Sequence, residues 1–528
     1  MKRTLLKSAL FLACFVLLFS CRDPEEKNGN DLEQISLSHT EMRVRPGAVV
    51  TLEVRAVPST ADVGRVTWTS SNPAVAIVGS DGRVIALSEG TADIRAEAQH
   101  LTAVCRVFVS DRYHYAPAED VSGAVMRLPR DPYRGVGFGF RNREDVLLLD
   151  PAIGWSYNWT THPRPEIEEL FRELGHDFFP MVWSGLSDAG EQNIRDFIAR
   201  NPHIRYIQAF NEPMLTDQAN LTPTQAAERW PRFRNLANEL GLKIVSPSLN
   251  WGTMPGFTDA NVWFDAFLAH PNVSLDDIDV ISVHSYAGMF GLKYFINRFR
   301  RYERPIWVTE WNQWYGTESA AQQMAFMSQS IQLMQADPMV TRHAWFYPRA
   351  GTRPPNSPPF MDLLDRNQPP GLTPLGEVFV NLSSQDRTIW QSIDNHILLA
   401  HTYTNTSASE TEFRMNGTIV LGPPARPTTD DTGHLELHNM RLGQWVEYQI
   451  DVTRPVSIIR LRYANFIASS IEVSLNGDVV STVALPYTGG DRIWNTATAD
   501  ISLPQGRHTI RLRVTEGGFL SLNWMKIE

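Results

Sequence analysis

The chain has 528 residues, too many for one hydrophobic core, because domains seldom grow past ~250 residues; at least two domains, and more naturally three, are expected. Apolar residues make up 43% and charged residues 20%, which excludes a disordered or fibrous chain. The formal net charge of −10 argues against nucleic acid, or an anionic membrane surface, as a partner held by charge.

Met1–Ser20 carries Lys2, Arg3 and Lys7, then the apolar run Ala9–Phe19, and is followed by Cys21. The run is short of the ~20 residues that span a bilayer, so it reads as a cleaved secretory signal, an uncleaved anchor being the alternative. Leu18-Phe19-Ser20-Cys21 resembles the lipobox of bacterial lipoproteins. That implies acylation of Cys21 and a chain anchored by lipid to the outer membrane or cell surface, outside the cytoplasm. Residues 21–32 are polar, with nothing to bury, and read as a flexible tether. Their acidic stretch resembles surface-export signals of some Gram-negative lipoproteins. Cys14 leaves with the signal and Cys21 takes lipid, so Cys105 alone remains. One cysteine excludes an intrachain disulfide and a cysteine-ligated metal, and its place in the alternating run Thr102–Val109 marks it as a buried structural thiol rather than a nucleophile. Neither a His-Glu-x-x-His pair nor a glycine-rich phosphate loop is present.

Residues 33–110 hold short alternating runs at Val49–Val57, Arg65–Thr69, Val75–Val78, Val84–Leu87, Ala92–Ala98 and Val104–Val109, separated by turn clusters such as Ser80-Asp81-Gly82. Many short strands at this spacing predict a β-sandwich. The stretches Val66–Asn72, Val75–Val78, Gly82–Leu87 and Gly90–Ala92 resemble bacterial Ig-like domains of group 2, which implies a spacer or an adhesive module. A linker is expected over 111–132.

From 133 to 384, strand-like runs alternate with amphipathic helical ones. The strands are expected at Gly135–Phe140, Ile153–Trp159, Asp177–Trp183, Tyr206–Phe210, Lys243–Ser248, Asp279–His284, Ile306–Thr309 and Arg342–Tyr347. Helical spacing of apolar residues is plain in Pro165–Leu174 and Thr222–Leu240, whereas the first crossover, Asn142–Leu149, is short. Eight strands with helical crossovers predict a (β/α)8 TIM barrel, whose chemistry sits at the C-terminal ends of its strands. Pro348–Pro374 holds eight prolines in 27 residues. Because Thr373–Leu382 still has the pattern of a closing helix, that stretch reads as a rigid loop on the active face, with a plain linker as the other reading.

The fourth expected strand runs into Asn211-Glu212-Pro213 and the seventh into Thr309-Glu310-Trp311. Strands four and seven of an eight-stranded ring face each other across its mouth, so Glu212 and Glu310 can converge there. A retaining glycosidase needs two carboxyl groups about 5–5.5 Å apart, one to protonate the leaving oxygen and one to attack the anomeric carbon. Either tripeptide alone is more often a turn or a helix cap; the pair at matching strand ends carries the reading. His284 and Tyr286, at the end of the sixth strand, would orient Glu310 or touch sugar, with a core histidine as the bland alternative. Ten of the fifteen tryptophans fall in this domain, and Trp155, Trp159, Trp183, Trp251, Trp311, Trp314 and Trp345 stand at or just past strand ends. Indole faces stack on pyranose rings, which suits substrate subsites, but about half of these rings are expected to be core packing.

Asn-Glu after strand four with a Glu ending strand seven resembles the barrels of glycosidase clan A. More narrowly, Gly154–Trp159 (GWSYNW), Phe179–Trp183 (FPMVW), Phe210–Pro213 (FNEP), Val283–Tyr286 (VHSY) and Thr309–Trp311 (TEW) resemble the catalytic domain of glycoside hydrolase family 128. That resemblance spans most of 133–384 and implies an endo-β-1,3-glucanase acting on β-glucan, with Glu212 as acid/base, Glu310 as nucleophile and Asn211 on the sugar 2-hydroxyl. Trp155, Trp183, Trp311 and Trp345 are the tryptophans expected to bind substrate. The alternatives are a retaining glycosidase of another specificity and a surface glycan-binding lipoprotein without activity. Retention of both glutamates speaks against the second.

Beyond 385 a β pattern returns, clearest over 433–528, while the register of 385–432 is unclear. Gly443–Tyr448 (GQWVEY), Leu485–Gly490 (LPYTGG) with Trp494, Leu503–Leu512 (LPQGRHTIRL) and Leu522–Trp524 (LNW) resemble carbohydrate-binding module family 6. The resemblance implies a jelly-roll type β-sandwich whose loop-end cleft would hold sugar with Tyr448, Trp494 and Asn523, independently of the catalytic domain. Asp491 stands where the family often has a tryptophan. A structural calcium is allowed by the resemblance, with no ligands placed by the motif; no other cofactor and no catalytic metal are expected.

Overall fold

The computed structural model describes residues 32–44, 46, 49–110, 124–349, 359–393, 397–410, 421–430 and 433–528. The leader, Cys21, most of the tether and part of the proline-rich loop lie outside the described residues. Among the described residues no helix is long and apolar enough to cross a membrane. The chain divides into two compact units, one formed by the N-terminal residues up to Phe108 and one running from Val109 to Glu528.

The first unit is all β. Val66–Ser70, Gly90–Ala98, Leu101–Val109 and Glu41–Val44 form one antiparallel sheet, and Val49–Thr51, Arg83–Ala86 and Ala76–Val78 another. Gln34–Leu37 pairs with Val54–Val57, two strands that the sequence reading either missed or merged with a neighbour. Alternation decides what is inside: Ala103, Cys105, Val107 and Val109 are buried, while Thr102, Val104 and Arg106 face out. Burial pushes the Cys105 thiol up to about 12, as a structural cysteine requires.

The second unit opens with an α/β domain, and a strand overlaps each of the eight stretches expected, two of them starting one or two residues earlier. These are β1 (Arg134–Gly137), β2 (Trp155–Tyr157), β3 (Asp177–Phe178), β4 (Tyr206–Gln208), β5 (Lys243–Val245), β6 (Ile281–Ser285), β7 (Ile306–Trp311) and β8 (Val340–Phe346). Helices follow them as α1 (Arg143–Leu149), α2 (Pro165–Leu174), α3 (Asp188–Arg200), α4 (Pro223–Glu239), α5 (Ala260–Leu268), α6 (Gly288–Phe299), α7 (Ala320–Ala336) and α8 (Pro374–Asn381). Their starts are written locally. Thr222 and Gln225 form a capping box before α4, with Pro223 in the first turn, where its missing N–H costs nothing. At α8 Thr373 caps the helix by accepting from the Gly376 N–H, again with a proline, Pro374, in the first turn.

Six strands form one parallel sheet in the order β3-β2-β1-β8-β7-β6, and β4 pairs in parallel with β5. Parallel bridges Met181↔Gln208 and Val245↔Val280 join that pair to the two edges of the sheet. β1 carries glycine where β2 carries large rings, and a Cβ on Gly135 would lie 2.6 Å from the Trp155 indole. At the N-terminal end of the strands the Arg342 guanidinium sits among Trp155, Phe179, Tyr206 and Trp307, 5.0–6.0 Å from their ring centres.

The rest of this unit is a sandwich of two mainly antiparallel sheets. One runs Gln391–Ser392, Trp445–Val452, Gly506–Glu516, Ser469–Leu475, Asp478–Leu485; the other runs Ala425–Pro427, Leu435–Arg441, Gly518–Ile527, Val456–Asn465, Gly490–Leu503. Residues 391–427, unclear in the sequence, therefore supply strands to both sheets. The expectation of an independent module needs correction. The sandwich packs on α7 and α8, and one apolar core runs through both domains. Gln332 of α7 donates to the Tyr403 hydroxyl (2.7 Å) and to Pro423 O (2.9 Å), and the Ala425 N–H donates to Ser328 Oγ (3.0 Å). A Cβ on Gly422 would meet Gln332 Oε1 at 1.7 Å, so the approach there is close enough to require glycine.

Candidate active site

Glu212 and Glu310 meet at the C-terminal end of the parallel strands. Glu310 lies within β7, with its side chain on the inner face and Trp311, the next residue, packed outward on Phe326 of α7. Glu212 follows β4 in a left-handed backbone conformation (φ +45°), unusual for a residue with a side chain. Hydrogen bonds from Asn211 N to Trp183 O (2.8 Å) and from Leu215 N to Glu212 O (3.0 Å) hold that turn. The result aims the carboxylate back over the strand ends, as strain retained at a functional position does.

The two carboxylates and the ring of His284 offer oxygen and nitrogen atoms that all lie within 4.8 Å of one another. His284 Nδ1 is 2.8 Å from Glu212 Oε1 and 3.5 Å from Glu310 Oε2, so one ring nitrogen sits between both acids. Its Nε2 is buried with no hydrogen-bond partner, which leaves the proton on Nδ1 as the bonded one. Glu310 Oε1 accepts from the Tyr157 hydroxyl (2.8 Å) and the Trp159 indole N–H (2.7 Å), while Oε2 accepts from the Tyr286 hydroxyl. Glu212 Oε1 accepts from Asn250 Nδ2 (2.5 Å) as well as facing His284.

Burial raises the Glu310 carboxyl above the ordinary glutamate value; the His284 ring opposes that shift and the Glu212 charge adds to it. Burial also works against a charge on His284, yet the Glu310 carboxylate and the hydrogen bond to Glu212 hold its pKa above the ordinary imidazole value. Burial and the neighbouring carboxylates push the Tyr157 and Tyr286 hydroxyls far up, so both remain donors. The arrangement supplies one carboxylate locked by three donors and a second with a free oxygen. It is suited to covalent attack by the first and proton transfer by the second.

Above the pair opens a cleft of about 670 Å³, with Trp159, Trp183, Trp251, Trp314, Tyr286 and Phe346 among its walls. Trp251, Tyr286, Phe346 and Trp159 follow one another edge to face, with ring centres 5.4–5.9 Å apart. Asn211 also lines the cleft; its Nδ2 donates to Gln218 Oε1 (3.3 Å), and its Oδ1 has no partner.

Of the residues chosen from sequence, Glu212, Glu310, Asn211, Tyr286 and Trp183 come together here, and His284 lies buried beneath them. Three tryptophans do not reach the cleft, and their expected contact with sugar is corrected. Trp155 is one layer lower on the inner face of β2, bonded to Tyr133 O (2.9 Å). Trp311 and Trp345 are buried against each other, ring centres 4.5 Å apart, and Trp345 also donates to Met361 O of the proline-rich loop. Alternation between an inner and an outer face accounts for Trp311, while Trp155 is on the inner face but too deep to reach the cleft. Asn250 and Tyr157 were missed; no motif marks Asn250, which stands in the loop after β5.

The proposed sugar cleft of the sandwich also fails. Tyr448, Trp494 and Asn523 are all fully buried. The Tyr448 hydroxyl donates to Ala400 O (2.8 Å), the Trp494 indole to Thr429 Oγ1 (3.0 Å), and Asn523 Nδ2 to Asp430 Oδ2 (2.9 Å). Their partners Ala400, Thr429 and Asp430 belong to the stretch that the sequence left unassigned. The buried carboxylates Asp430 and Glu436 face Arg462 and Arg426, so these acids do not form an oxygen shell for calcium.

Residues 135–379 match the family model for a glycosyl hydrolase catalytic core, 421–528 that for carbohydrate binding module family 6, and 31–106 that for the bacterial Ig-like domain of group 2. No curated protein matches the chain. Among solved structures, the chain is similar to a GH128 (subgroup II) endo-β-1,3-glucanase from Pseudomonas viridiflava, with 32% identity over 48% of this chain and 98% of that one and a TM-score of 0.43. A GH128 (subgroup II) endo-β-1,3-glucanase from Sorangium cellulosum follows, with 30% identity over 47% and 97% and a TM-score of 0.41. A β-1,3-glucan binding CBM6 from Bacillus halodurans is 22% identical over 26% and 99%, with a TM-score of 0.23. The chain is a glycoside hydrolase, with a glycosyl hydrolase catalytic core, a family 6 carbohydrate-binding module and a group 2 Ig-like domain.

Proposed function

We propose that this glycoside hydrolase is a retaining, endo-acting β-1,3-glucanase on a (β/α)8 barrel, held at the outer membrane or cell surface by lipid on Cys21. One observation carries the mechanism: two carboxylates from the ends of β4 and β7, with oxygens within 4.8 Å, at the floor of an aromatic cleft. That closeness is in keeping with the ~5–5.5 Å carboxyl separation of double displacement and falls short of the ~6.5–9.5 Å of inversion. The bridges that join β4-β5 to both edges of the six-stranded sheet support the barrel reading.

In the first step an oxygen of the Glu310 carboxylate attacks the anomeric carbon. The bond to the leaving sugar breaks, and its oxygen takes the proton of Glu212, leaving a glycosyl ester on Glu310. In the second, water adds to the anomeric carbon, gives its proton to Glu212, and the ester bond breaks to restore the Glu310 carboxylate. Tyr157, Trp159 and Tyr286 hold the nucleophile ionised and oriented, and Asn211 is placed for the sugar 2-hydroxyl.

The β-1,3 linkage is supported by the five family motifs around the site and by the sequence identity to two endo-β-1,3-glucanases. The sandwich would bring the enzyme to glucan through residues other than Tyr448, Trp494 and Asn523, and the Ig-like unit would space it from the surface. The test uses residues 22–528 on β-1,3-, β-1,4- and mixed-linkage glucans, with product anomers followed by NMR. Oligosaccharides of β configuration at the first time points, from β-1,3-glucan above the others, are expected. First-formed α products would overturn retention, and preference for a β-1,4-glucan would overturn the linkage. A Cys21→Ser chain should leave the membrane fraction; its persistence there would end the lipid-anchor reading.

A further inference from the structure

We infer that Asn250 is a positioning residue for proton transfer, fixing which oxygen of Glu212 carries the proton. The inference rests on Glu212 being the acid/base. Asn250 is buried, in the loop that follows β5, and its amide cannot be turned round. Oδ1 accepts from the Trp251 backbone N–H at 2.8 Å, so the other end of the amide, Nδ2, must face Glu212, and it donates to Oε1 at 2.5 Å. His284 Nδ1 approaches the same oxygen at 2.8 Å.

Two N–H donors on Oε1 leave no place for a hydrogen on it, because a hydrogen there would point at another hydrogen. The proton of the acid therefore belongs on Oε2. No hydrogen-bond partner reaches Oε2 among the described residues, and Glu212 lines the cleft, so the free oxygen is the one available to the glycosidic oxygen. His284 alone would not fix this, since its Nδ1 also lies 3.5 Å from Glu310. Asn250 makes the choice, and through Trp251 it ties the acid to a wall of the cleft.

The test exploits a property that a merely structural residue lacks. Proton donation matters for a sugar leaving group and little for a dinitrophenolate, so damage to the acid splits the two substrates, whereas general damage lowers both. Asn250→Ala removes both ends of the amide. Asn250→Ser keeps an acceptor for Trp251 N–H but is too short to donate to Glu212. Glu212→Ala is measured beside them on β-1,3-glucan and on a dinitrophenyl β-1,3-oligoglucoside.

Glu212→Ala should lose ~10²- to 10⁴-fold on glucan and far less on the aryl substrate. Both Asn250 variants should lose on the order of 10-fold on glucan and under about threefold on the aryl substrate. A split in Glu212→Ala with none in either Asn250 variant overturns the positioning role. A split in Asn250→Ala alone also overturns it, since the effect would then run through Trp251. No split in Glu212→Ala would instead overturn the acid/base assignment beneath it. The aryl-substrate rate also reports folding, because a misfolded variant loses both.

Discussion

The mouth of the catalytic domain and the sandwich contain the same kinds of residue in the role of candidate sugar contacts, and they place them oppositely. At the mouth, Trp183 and Trp251 are 37% and 38% exposed and line the cleft. In the sandwich, Tyr448 and Trp494 are shut inside, their polar atoms satisfied by Ala400 and Thr429. An aromatic in the right motif thus becomes a binding surface only where neighbouring chain leaves its face open. At the strand ends, loops diverge and leave a cleft. In the sandwich, neighbouring chain at Ala400 and Thr429 takes their hydrogen bonds and no ring face is left open.

The largest effect that would sharpen this contrast lies at the mouth itself. Glu310→Gln should abolish turnover of β-1,3-glucan while thermal stability and glucan binding stay near wild type; substantial turnover by the pure variant would remove Glu310 from its role. Next comes the sandwich. Trp494→Ala should cost about 3–5 kcal/mol of stability, because it deletes a fully buried ring and its hydrogen bond, and denaturant unfolding measures it. If stability hardly changes and glucan pull-down weakens instead, the ring is a ligand contact and the contrast collapses.

A smaller effect is expected for Trp183→Ala. Half-open to solvent, it should leave the unfolding midpoint almost unmoved but weaken binding of short β-1,3-oligosaccharides by about 1–2 kcal/mol, read by calorimetry. A loss of stability without loss of affinity would place Trp183 with the packing rings. The mildest test is of pH. Glu310 must be ionised to attack, and burial holds its carboxyl above the ordinary glutamate value. Activity should therefore fall on the acid side at a higher pH than a solvated glutamate would give. Tyr286→Phe should move that acid limb up, because it removes a hydrogen bond that favours the ionised carboxylate; a downward move would contradict that role.

Much of this was legible before any fold was known. Period-two and helical patterning marked all eight strands of the α/β domain, the short α1 and the closing α8, because each pattern reflects which face of a local element is buried. The glutamates were legible as candidates because strand patterns run into them, and the C-terminal ends of parallel strands are where α/β folds place their ligands. What the sequence could not supply is anything that depends on approach between distant segments. Trp155 opens β2 and Trp159 lies just past its end, and only the second reaches the cleft, a matter of depth in the domain. Trp311 and Glu310 are neighbours with opposite faces. Asn250 belongs to no motif, and its meaning comes from a carboxylate 38 residues away in sequence. The burial of Tyr448, Trp494 and Asn523, and the seating of the sandwich on α7 and α8, involve the described residues of 397–410 and 421–430, whose short strands carry too little alternation to be read alone. Local pattern thus determined the elements and the candidate reacting groups; tertiary packing decided which rings meet solvent, which oxygen is left free, and which domains share a core.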